Sequence, residues 1–74
     1  ATATVVEVRA SDRPGLLHRL GRALALLDVS VRGARVVTLG AEAVDVFYLQ
    51  DADDRPLDEA ASRETVRLLA DAAT

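Results

Sequence analysis

Two hydrophobic periods alternate along this chain. Over residues 2–10, Thr4, Val6 and Val8 alternate with Val5, Glu7 and Arg9. That is the two-residue period of a half-buried strand, with the even positions expected to face the core. Over residues 14–27 the period lengthens: Leu16, Leu17, Leu20, Leu24 and Leu27 recur at the spacings of one helical stripe. Arg19, Arg22 and Ala25 lie off it. Gly21 sits mid-helix, where it costs stability unless a neighbouring element packs tightly over it.

The alternation then returns. Residues 29–39 read as a second strand, with Val29, Val31, Val37 and Leu39 on one parity and Ser30, Arg32, Ala34, Val36 and Thr38 on the other. Apolar residues occupy both parities, and Gly33 between them suggests a bulge or a close crossing; a bulge there would reconcile the two halves. Gly40 supplies a short turn. Residues 43–50 form a third strand, with Val44, Val46 and Tyr48 on one face and Asp45, Phe47 and Leu49 on the other. Strands two and three are expected to pair as an antiparallel hairpin. Residues 51–56 make a polar acidic loop, too short and too poor in ligands for a calcium site. Asp58 is placed to cap a last helix over residues 59–72. Its inward members are expected to be Ala61, Val66, Leu69, Ala70 and Ala73, with Arg63, Glu64 and Arg67 outward.

The order β-α-β-β-α predicts an α+β fold, an antiparallel sheet with two helices on one face. The other face stays open. It is expected to carry Val5, Phe47 and Leu49 among polar residues, a surface suited to pairing.

The chain turns from strand to helix within Ser11-Asp12-Arg13-Pro14-Gly15-Leu16-Leu17. Pro14 suits a first helical turn, having a helical φ and no N–H to leave unpaired. Asp12 or Ser11 can cap the free N–H groups there. Gly15 is unfavourable in a first turn by about 1 kcal/mol relative to alanine. Its presence implies close approach to the backbone, by a neighbouring strand or by a small ligand. As a ligand site, the N–H groups of Gly15, Leu16 and Leu17 receive a carboxylate and Asp12 meets an ammonium. As pure structure, Asp12 caps and Gly15 packs.

Composition narrows the function classes. Seventy-four residues make one domain, and one Phe, one Tyr and no Trp make its core aliphatic. There is no cysteine, so disulfides, thiolate metal sites and thiol nucleophiles are excluded within this chain. A net charge of −3 argues against nucleic acid or an anionic membrane as partner. No apolar run reaches membrane-spanning length. All nine cations are arginine. The single histidine, His18, falls beside the leucine stripe, at a solvent edge and with no triad partner at a recognisable spacing. Arg32 and Arg35 are expected to cover the open sheet face or to pair with Glu42 and Asp45. Those two carboxylates do not suggest a catalytic pair. The chain begins with Ala1 rather than Met, as expected of a piece of a longer polypeptide.

Val6-Glu7-Val8 leading into Asp12-Arg13-Pro14-Gly15-Leu16-Leu17, then Leu24, Val29-Ser30-Val31 and Ala34-Arg35-Val36, resemble the ACT domain. This is a ferredoxin-like βαββαβ module that senses small ligands, often amino acids. The resemblance covers nearly the whole chain, but the usual fourth strand is missing. The run from Thr38 to Leu49, with Val44-Asp45-Val46-Phe47-Tyr48 at its centre, is similar to a narrower group. These are the C-terminal ACT repeats of bifunctional uridylyltransferase/uridylyl-removing enzymes, which modify the nitrogen-regulatory PII protein and sense glutamine through their ACT repeats.

The resemblance implies one regulatory, non-catalytic and cytoplasmic ACT domain over residues 1–74, from the C-terminal end of a larger enzyme. The implied ligand is an amino acid, glutamine in that group. The implied ligand-binding residues are Asp12, Arg13, Pro14, Gly15, Leu16 and Leu17, with Asp28, Val29 and Ser30 near the same turn, often from a partner domain. The implied partner is another ACT domain, in the same chain or as a homodimer. No cofactor, metal, nucleic acid or membrane is implied. The parent's nucleotidyl-transfer and phosphodiesterase centres need metal-binding aspartates and a histidine-aspartate cluster that this chain lacks. Two rivals stand beside this reading: a ligand-free ACT dimerisation or docking module, and the ACT domain of another enzyme, such as a ppGpp synthetase or an amino-acid biosynthetic enzyme.

Overall fold

The computed structural model describes residues 2–74. Ala1, at the start of the expected domain, lies outside the described residues. The elements follow the predicted order: β1 (Thr4–Ser11), α1 (Leu16–Leu26), β2 (Ser30–Leu39), β3 (Glu42–Gln50) and α2 (Glu59–Ala73). The three strands form one antiparallel sheet in the order β1-β3-β2, with both helices on one face. This is the ferredoxin-like α+β arrangement with three strands among the described residues.

Even positions of β1 do face the core: Val6 and Val8 are buried and Val5 is exposed. The β1–β3 register pairs Val6 with Phe47 and Thr4 with Leu49. Residues directly opposite in an antiparallel pair share a face. Phe47 and Leu49 therefore join the core instead of the open face expected for them, and Leu49 is 0% exposed. The sequence was ambiguous here because both parities of β3 are apolar. The open face carries Val5, Val37, Leu39, Val46 and Tyr48, with Glu7, Arg9, Arg35 and Glu42 between them. Arg9 sits within 3.1 Å of Glu7 and 3.8 Å of Glu42. Neither Arg32 nor Arg35 makes the expected ion pair among the described residues.

The bulge in β2 lies where Gly33 predicted it. Val31 pairs with Leu49 and Gly33 with Tyr48, leaving Arg32 as the extra residue. Nothing packs over Gly21, so its cost to the helix is not offset there: a side chain added at that position would meet open space. In α1 the buried face is Leu16, Leu20, Ala23 and Leu24, while Leu17 is 53% exposed at its edge. In α2 it is Thr65 and Leu69, with Ala61, Ala72 and Ala73 packed beside them. Val66 and Ala70, expected inward, are exposed. A threonine takes the central place because its hydroxyl is satisfied locally, donating to the Ala61 carbonyl at 2.8 Å. The outer edge of β1 is unpaired among the described residues. A groove of about 680 Å³ runs along it beneath α2, lined by Val6, Val8, Val66, Leu69, Ala70 and Ala73.

Candidate functional site

The two helices begin in different ways. At α2, Asp58 is the expected cap: its carboxylate accepts from the Ala61 N–H at 2.7 Å. At α1 the cap residue is Gly15, with φ 82° and ψ 0°, and no side chain accepts from the helix. The Leu16 N–H donates back to the Arg13 carbonyl at 3.1 Å. A four-residue turn with proline second, glycine third and that hydrogen bond has the geometry of a type II turn. Pro14 therefore precedes the helix instead of opening it, and neither Asp12 nor Ser11 caps it. Gly15 is demanded by its own positive φ. Space is not tight there, since an added Cβ would lie 3.5 Å from Arg19 Nη1, an ordinary contact.

This turn leaves the start of α1 open. The Leu16 N–H is used, but those of Leu17 and His18 have no partner among the described residues. They are the orphan donors of a first helical turn, at the positive end of its dipole. Asp12 is fixed from behind, its N–H donating to the Ala41 carbonyl at the hairpin tip at 2.8 Å. Its carboxylate has no hydrogen-bonded or ionic partner among the described residues. A cavity of about 350 Å³ opens at this point, lined chiefly by Asp12, Arg13, Gly15, Leu17, His18 and Asp45.

Asp45 is the residue the sequence reading did not assign to this site. It sits on central strand β3, opposite Val8 and Val36, and is 2% exposed. The same parity that buries Phe47 and Leu49 turns it toward the helices, away from the arginines expected to pair with it. Burial raises its pKa above the ordinary carboxylate value, and the nearby charge of Asp12 raises it further.

Arg13 and Arg19 bind the turn to the far helix. Arg13 donates to the carbonyls of Thr74 at 3.0 Å and Ala73 at 3.4 Å. Arg19, read as an outward residue, donates to Ala72 O at 3.1 Å and to Pro14 O at 3.4 Å. These contacts satisfy carbonyls left over at the end of α2 and suit the negative end of its dipole. Pro14 lies on the outer side with Arg13 and Arg19, not in the cavity of Asp12.

Asp28, Val29 and Ser30 lie at the other end of α1. Eleven helical residues separate the two groups, about 16 Å of axis. Val29 lines a different, apolar depression with Leu24 and Phe47. One domain thus does not bring the two halves of the expected site together. The groove along β1 is larger than the cavity at Asp12 but has no helix start opening into it.

The sequence profile of the ACT domain family matches residues 4–72. Among curated proteins the chain is similar to the bifunctional uridylyltransferase/uridylyl-removing enzyme of Streptomyces coelicolor, 63% identical over 62 residues. That match covers 81% of this chain and 7% of the relative. The enzyme of the same name from Pseudomonas putida is 48% identical over 56 residues, 76% of this chain and 6% of the relative. That from Methylococcus capsulatus is 39% identical over 64 residues, 86% of this chain and 7% of the relative. The chain therefore spans only about one-fifteenth of the length of these relatives.

Proposed function

The chain belongs to the ACT domain family, and from that premise we propose that it is a regulatory, amino-acid-sensing domain of a bifunctional uridylyltransferase/uridylyl-removing enzyme, with glutamine as its ligand. The observation that carries this reading is the open start of α1. Two unpartnered N–H groups, at Leu17 and His18, and one unpartnered carboxylate, at Asp12, border a single cavity. That is the complement of a zwitterion: the N–H groups take the α-carboxylate and Asp12 takes the α-ammonium. The carboxamide is then left for groups from an adjoining ACT domain, among them Asp28, Val29 and Ser30 of that partner. The similarity to three enzymes of one name, each matched over a small share of its length, supports a regulatory segment of a larger, cytoplasmic enzyme. In this reading the segment is its C-terminal one.

The domain carries no chemistry of its own. It acts by binding glutamine more tightly in one arrangement of the parent than in another, since only differential affinity moves such an equilibrium. The favoured arrangement is the one that removes uridylyl groups from PII. Calorimetric or chemical-shift titration with glutamine tests it, on this chain and on a longer protein holding it beside a second ACT domain. Saturable binding that is lost in Asp12→Ala is the expected result. No binding by the paired form removes the reading.

A second reading has its own observation. Edge strand β2 exposes apolar residues on both faces, Val37 and Leu39 on the open sheet face and Val31 and Val36 on the helix side. As a docking module the domain would use this surface and bind nothing small. Val37→Asp is the surface probe, because Phe47 is in the core and its substitution would unfold the domain. Sedimentation showing a self-associated species that Val37→Asp disperses, with no ligand binding, favours this alternative.

A further inference from the structure

Asp45 is anomalous as a structural residue. A carboxylate on the central strand, 2% exposed, ordinarily has a cationic or hydrogen-bonding partner. Asp45 has neither among the described residues, and its carboxylate oxygens are not sealed in the core but stay open to the cavity. Its neighbours make matters worse. Across the sheet it meets Val8 on β1 and Val36 on β2, neither of which can donate. From the turn it shares the cavity with Asp12, a like charge, and Arg13, whose Nη2 donates to the carbonyls of Ala73 and Thr74 and which makes no ion pair with Asp45. From α1 it faces His18. Isosteric Asn would keep the shape without the charge. A group that opposes folding and is directed into a cavity belongs to what the cavity holds.

We propose that Asp45 is a ligand-binding residue, and that Asp12 and Asp45 together grip the ammonium group of the bound amino acid. This rests on the sensing reading above and adds to it a specificity-determining residue on β3. An ammonium group has three N–H donors, and one carboxylate on each side satisfies two of them with charge-assisted hydrogen bonds. Its charge also relieves the repulsion between Asp12 and Asp45. The cavity is then selective by sign. A ligand without the ammonium leaves two carboxylates facing each other in a confined space, and is refused. The N–H groups of Leu17 and His18 remain for the ligand's carboxylate, so each end of the zwitterion meets its own set of groups.

The test uses the longer protein that holds this chain beside a second ACT domain, and three probes: glutamine, its deaminated analogue 4-carbamoylbutanoate, and ethylammonium chloride. Asp45→Asn is expected to weaken glutamine at least about tenfold, the scale of one charged hydrogen bond. The deaminated analogue should bind the wild type poorly, and Asp45→Asn no worse. In carboxyl-detected NMR, ethylammonium should move the Asp45 resonance toward its ionised position, at a pH where the ligand-free protein is partly protonated there. Unchanged glutamine affinity in Asp45→Asn overturns the assignment, and so does an Asp45 resonance indifferent to ethylammonium. If no amino acid binds but ethylammonium still shifts Asp45, the sensing reading fails and the cation site stands. Near-native amide spectra for Asp45→Asn separate lost binding from lost folding.

Discussion

The two helix starts of this small domain solve one problem in opposite ways. The first turn of α2 is closed by its own Asp58 and has Glu59 beside it to favour the dipole. The first turn of α1 has glycine as its cap, no acidic residue, and donors facing a cavity. A closed start contributes to stability and needs nothing else. An open start gives up that contribution and can gain it back from a ligand. Within one chain of 74 residues, the contrast separates a closed helix end from an open one.

Substitutions can break or sharpen that contrast. The largest effect on folding is expected at Gly15. Alanine there must adopt φ 82°, which disfavours the fold by about 1–2 kcal/mol. Thermal or chemical denaturation reads this directly, and Gly15→Asn should cost less because asparagine tolerates that region better. Asp58→Ala comes next, with a loss of about 1 kcal/mol from removing a cap. Glutamine affinity should be unchanged in it.

Asp45→Asn reverses the sign. Its pKa is raised in the fold from an ordinary value of 3.8, first by burial and then by Asp12. Between the ordinary and the raised value the native state holds more protons than the unfolded one, so stability falls as pH rises through that window. Ionised Asp45 thus opposes folding at neutral pH. The asparagine variant should be more stable there by at least roughly 0.5 kcal/mol. The advantage should shrink as pH falls through the raised pKa toward the ordinary value, which denaturation curves at several pH values would follow. The smallest effect on stability is expected for Asp12→Ala, within about 0.5 kcal/mol, because its carboxylate caps nothing. A large loss of stability there would mean that Asp12 serves the fold after all.

Much of the fold was legible because strand and helix periods are unmixed over most of the chain. Val6 and Val8 marked the buried side of β1, Gly33 marked the bulge, and Asp58 marked the start of α2. Legibility failed where apolar residues fill both parities. Phe47 and Leu49 could be assigned to a face only through their partners on β1, and pairing is a property of the sheet. It failed again at the turn. Pro-Gly was legible as a type II turn, yet it was read as the first turn of a helix, which made Asp12 a cap. For the site, the turn opens onto a cavity lined by Asp12, Gly15 and Leu17, but Asp45 was out of reach. Its significance lies in a largely buried side chain that lines the cavity without a partner, and no spacing along the chain encodes that. The distance between Asp12 and Ser30 follows from the length of α1 and is a reason to look for a second domain.

The irregularity in β2 has a consequence for how this chain can vary. Ser30, Val31, Gly33 and Ala34 face four consecutive residues of β3, so Arg32 is a spare link in the strand. A version one residue shorter at that point keeps every neighbouring side chain on its present side. A deletion two residues further along, in the regular part of the ladder, would shift the phase of the pleat. Length variation in this hairpin is therefore tolerated at one position and punished beside it.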